Sequence, residues 1–176
     1  MIRKFCWLLL LAAGASQAQG TTPPPAAMDA SKFTEERNAA STFVGTMGFF
    51  ISRMAARCGP LLEQEPAWPR QLAAGWQSAN GRLYRAAIGY QSDLLAMVES
   101  GGDAAALSGL KEEIRNAVQG GGQRMVDEQL SGDGEHKLSM CRKFAGNLQA
   151  GALDLKPGTP HYATLLQLAA ERGESR

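Results

Sequence analysis

The 176-residue chain predicts an all-α fold: an antiparallel bundle of four main helices plus a short C-terminal helix, closed by one disulfide. Three observations predict it. From residue 31 onward alanine, leucine, glutamine, arginine and methionine dominate, while β-branched residues are scarce. Apolar residues recur at spacings of three and four, and strict alternation never persists. The runs are separated by brief Gly-, Pro- and Asp-containing connections, as in packed neighbouring helices.

The first 18 residues, MIRKFCWLLLLAAGASQA, stand apart from that pattern. Arg3 and Lys4 precede an apolar run from Phe5 to Ala15, and Ser16-Gln17-Ala18 supplies a small-x-small cleavage pattern. This is the signature of a cleaved signal peptide, with Gln19 as the mature N-terminus and a periplasmic or secreted destination. The run is short of the roughly 20 apolar residues that span a bilayer, and no other segment reaches that length. Removing Arg3, Lys4 and Cys6 leaves 16 basic against 17 acidic side chains and two cysteines, Cys58 and Cys141. In an oxidising compartment these pair as one disulfide, which constrains the unfolded chain by about 4–5 kcal/mol in the loop-entropy description.

Residues 19–30 form a Pro-rich, disordered lead. The helical domain spans 31–172, followed by a frayed tail, 173–176. The first helix is predicted over Ser31–Arg57, capped by Ser31, with Phe43, Met47, Phe50, Met54 and Cys58 on one face and Gly59-Pro60 as its stop. A second is predicted over Pro69–Glu99, its apolar phase running through Asn80-Gly81, a dipeptide that elsewhere signals a turn. A third follows Asp103 as cap and carries Leu107, Leu110, Ile114, Val118 and Met125 in phase. Gly120-Gly121-Gly122 lies within it, and three glycines at about 1 kcal/mol each predict a kink or local break. A fourth covers Glu135–Leu153, with Cys141 on its apolar stripe, and a short last helix runs from Thr159 to Arg172.

A balanced charge excludes a binder that works by neutralising phosphates, so no nucleic-acid partner is expected. The two histidines, His136 and His161, lie in different segments without a second ligand at metal spacing, and no cofactor or metal is expected. No Gly-x-Ser-x-Gly elbow, phosphate loop or Cys-x-x-Cys occurs. The carboxylate pairs Glu35/Glu36, Glu112/Glu113 and Asp127/Glu128 are sequence neighbours, which diverge by about 100° on a helix and do not face one another.

Trp76, Arg82, Tyr84 and Arg85 are the candidate partner-contact residues, because arginines and aromatics concentrate at binding hot spots. The expected function is therefore non-enzymatic: an exported helical protein that binds another protein. By analogy of architecture this could be an inhibitor or immunity protein of the bacterial envelope. Two alternatives carry their own marks. A carrier of a small apolar ligand requires an internal cavity lined by Phe43, Met47, Phe50 and Trp76. A carboxylate-based hydrolase requires Glu112, Asp127 and His136 to share a cleft.

Overall fold

The computed structural model describes residues 30–174; the predicted signal peptide and all but the last residue of the Pro-rich lead lie outside them. Among the described residues all regular structure is helical. A 3-10 turn, Ala30–Lys32, precedes six α-helices: α1 Glu35–Leu61, α2 Trp68–Ala79, α3 Gly81–Ser100, α4 Ala104–Gln129, α5 Gly134–Gln149 and α6 Tyr162–Glu171.

Six helices replace the expected four long and one short because the predicted second helix is two. Asn80 divides it. This residue is only 6% exposed, and its side chain serves contacts on both sides. Its Oδ1 accepts from Leu155 N–H at 2.6 Å, and its Nδ2 donates to Trp76 O at 2.8 Å and Asp154 Oδ1 at 3.2 Å. Unbroken apolar phase across the junction concealed a partner 75 residues downstream.

The boundaries of α1 also shift. Thr34, not Ser31, is the cap, accepting from Arg37 N–H. The helix passes through Gly59-Pro60, since a proline in the last turn disturbs only that turn. Termination comes at Glu63, whose φ of 52° lets Gln64 N–H reach Gly59 O and Glu63 N–H reach Pro60 O. This paired-bond ending is usually made with glycine. Asp103 caps α4 as the sequence predicts, and Asp133 caps α5, accepting from His136 N–H. The fifth helix stops at Gln149, short of Leu153, and Gly151 turns the chain with a φ of 65°.

Of the expected kink or local break at Gly120–Gly122, the break is absent: α4 is continuous through it. The glycines admit α1 instead. A Cβ on Gly122 would lie 2.6 Å from Phe49 Cδ1 and 3.1 Å from Thr46 O, and one on Gly121 would lie 3.2 Å from Thr46 Cγ2. Gly45 answers from α1, where a Cβ would meet Val118 Cγ2 at 2.9 Å. Close contact between the two backbones outweighs the helix propensity forgone.

Around α1 the other helices gather, α4 and α2 most extensively, then α3, α6 and α5. Its stripe of Val44, Ile51, Met54, Ala55 and Cys58 is fully buried with Val126, Cys141, Leu165 and Ala169 from the later helices. Cys58 and Cys141 are bonded, their Cα atoms 5.3 Å apart, joining the end of α1 to α5.

Candidate functional site

Beside the disulfide, residues of α1, α5 and the 150–161 connection line an open space. The α1 residues Phe43, Met47, Phe50 and Met54 recur every three or four positions and so present one face. With Met140, Phe144 and Leu153 they form an apolar groove of two lobes. The inner lobe, about 200 Å³, lies between Phe50, Met54, Met140, Phe144 and Leu153, with Gln129, Lys143 and Asn147 at its rim. The outer lobe, about 520 Å³ and more open, lies between Phe43, Met47 and the connection, and Leu153 lines both.

Each wall is fixed by an identifiable contact. The disulfide holds α5, and Phe144 packs edge-on against Phe50 with ring centroids 6.0 Å apart. Trp76 Nε1–H donates to Leu153 O at 2.9 Å, which with the Asn80 bonds ties the connection to the α2–α3 junction. Within the connection, Thr159 Oγ1 accepts from Lys156 N–H, and Lys156 Nζ donates to Gly151 O at 2.9 Å. His161 closes it with a φ of 59° and lays its ring 6.0 Å from that of Phe43.

The four residues singled out from sequence do not form one surface patch. Trp76 is 3% exposed, and its ring packs edge-on to half-buried Tyr84. Its part is to position the groove wall. Arg85 is exposed and grips Glu174 with three hydrogen bonds of 2.7–3.2 Å. That hydrogen bond, more than the charges of Arg85, Arg172 and Arg82, holds the Glu174 carboxyl below the ordinary carboxylate range and raises Arg85 in turn. Arg82 is half-buried, and its Nε finds no partner among the described residues. Arg37–Glu171 and Arg172–Asp93 add further ion pairs from the end of α6 and its C-cap to α1 and α3.

The cavity expected of an apolar carrier is divided. Phe43 and Met47 line the outer lobe, Phe50 the inner, and Trp76 neither. Glu112, Asp127 and His136 are all exposed, and none lines the groove. Glu112 pairs with Arg115, and Asp127 accepts from Gln123. Among the described residues no three His, Cys, Asp or Glu side chains gather as a metal ion requires, and no helix is long and apolar enough to cross a membrane. Comparison of the chain with protein-family models, curated proteins and solved structures yields no match.

The groove residues were visible in the sequence as a periodic face, read there as core. Met140 and Phe144 lie one turn apart beside Cys141 and Leu153 follows α5, and only the fold brings the three opposite α1.

Proposed function

We propose that the protein is exported and acts by binding an apolar segment of another protein in the groove between α1, α5 and the 150–161 connection. The observation that carries this reading is the groove's composition. Three methionines and three phenylalanines line it, Phe43 and Met140 half-buried at its surface and Met47, Phe50, Met54 and Phe144 buried at its base, and methionine adapts to varied partner shapes. An open outer lobe suits a partner's segment better than a small molecule, which bound sites usually enclose over most of its surface. Export rests on the tripartite pattern of residues 1–18 and on the preference of disulfides for oxidising compartments.

A photoreactive residue at Met140 tests the proposal in the native envelope. The expected result is one reproducible protein adduct that disappears when Leu153→Asp is added. A probe at exposed Lys111 should give none. No adduct at Met140, or equal labelling at both positions, would rule the groove out as the binding surface.

The inner lobe supports a second reading, capture of a small apolar group. At about 200 Å³ it exceeds the roughly 150 Å³ that accommodates benzene in an engineered cavity. Mass spectrometry of the natively purified protein would then reveal a small apolar passenger, lost on Met140→Trp.

A further inference from the structure

Two of the three consecutive glycines in α4 are accounted for by the crossing with α1, and the third is not. A Cβ on Gly120 would meet only Arg124 Nη1, at 3.7 Å. Alanine fits there and would favour the helix. Gly120 lines an open groove of about 720 Å³ between α1 and α4, together with Phe49, Arg53, Asn116, Gln119 and Gln123. None of these residues takes part in the apolar groove.

Most of the polar groups here are unspent, Gln123 being the exception. Arg53 is exposed and pairs with no acid among the described residues, and no carboxylate lines the groove. Its guanidinium lies 6.0 Å from the centre of the Phe49 ring, which steadies it by cation–π attraction. Asn116, Gln119 and Gln123 follow at i, i+3 and i+7, so their carboxamides share one face of α4. Gln123 Nε2 donates to Asp127 Oδ1 at 2.8 Å, leaving its Oε1 as an acceptor.

A row of carboxamides offers donors and acceptors side by side, which hydroxyl groups match. A free guanidinium matches a carboxylate in bidentate fashion. A protein partner would seek a desolvated apolar anchor point, yet the one apolar ring present already carries Arg53. We propose that this groove binds an acidic saccharide, with its carboxylate on Arg53, its hydroxyls on the carboxamides and a sugar ring over the bare backbone at Gly120. The proposal is independent of the protein-binding reading.

Titration of the ¹⁵N-labelled, disulfide-intact protein with tetragalacturonate tests it, with neutral maltotetraose and equally charged tetraglutamate as comparisons. The expected result is saturable shifts confined to residues around 49–53 and 116–123, with a Kd of about 1 mM or tighter. Arg53→Gln should weaken binding about tenfold, and both comparison ligands should bind weaker than tetragalacturonate by a similar factor. Gly120→Leu should abolish binding. Gly120→Ala should weaken it while raising the melting temperature, an opposition that a merely structural glycine would not produce. Absence of saturable shifts, shifts centred elsewhere, undiminished binding by Arg53→Gln or Gly120→Ala, or equal binding of either comparison ligand would overturn the proposal. Arg53 and Gly120→Ala keep the test decisive should Gly120→Leu fail to fold.

Discussion

Helices α4 and α5 both attach to α1, by opposite means. Between α1 and α4 the attachment is fit: glycines at 45, 121 and 122 let the backbones approach with no covalent help. Between α1 and α5 it is a bond. Here α5 packs extensively only against α1 and leaves a groove lined by Phe50, Met54, Met140 and Phe144. Close packing and an open binding surface are competing uses of the same apolar side chains. A covalent tie allows α5 to hold position with its apolar face only partly consumed.

The largest way to break this contrast is to remove the bond. Cys58→Ala with Cys141→Ala should lower unfolding stability by about 4–5 kcal/mol, the loop-entropy contribution for an 83-residue separation. Urea denaturation measures the loss, and hydrogen exchange should show α5 opening before α1 and α4. Equal acceleration across all three helices would contradict the contrast.

Asn80→Ala comes next. It leaves the buried Leu155 N–H without its acceptor, and about 2–3 kcal/mol should be lost in thermal unfolding. Faster exchange should concentrate in residues 150–161. The crossing itself is tested by glycines two positions apart. Gly122→Ala drives a methyl into Phe49 and the α1 backbone and should cost about 1–3 kcal/mol. Gly120→Ala, with room for its methyl, should stabilise by up to about 1 kcal/mol. If both shifted the melting temperature the same way, close approach would not be what the glycines serve.

The smallest effect concerns the exposed Arg85–Glu174 pair. Because the folded Glu174 carboxyl is held below its ordinary value, its contribution is present above the ordinary carboxylate range and fades as pH falls through the depressed value. Arg85→Gln should move the Glu174 titration upward, toward the ordinary carboxylate range, by NMR with little change in melting temperature. Tyr90 runs the other way. Burial raises its phenol, so its contribution is full below the ordinary tyrosine range and is lost as pH rises in alkali.

Where local chemistry decides structure, the sequence is a good guide. The apolar phase of α1, the Asp103 cap and the pairing of Cys58 with Cys141 were all legible from spacing, residue type and cysteine count. The misreadings share one cause. Asn80 looked tolerable within a helix, and Gly120–Gly122 looked like a break, because their reasons lie across the fold, at Leu155 and at Thr46 and Phe49. The groove was half legible for the same reason. Its α1 wall is periodic, whereas Leu153 is held there by bonds that Trp76 and Asn80 make to the connection.

The disulfide also has a timing. Cys58 is synthesised 83 residues before its partner, which at 5–20 residues per second is roughly 4–17 seconds. Throughout that interval it is a thiol without its native partner, on the apolar face of a helix whose packing partners are still arriving. The sulfurs meet only after α5 has been made and has docked on α1. Closure of the bond therefore marks a chain in which α1 to α4 and the start of α5 have been made, and an oxidant acting earlier would find Cys58 with no native mate.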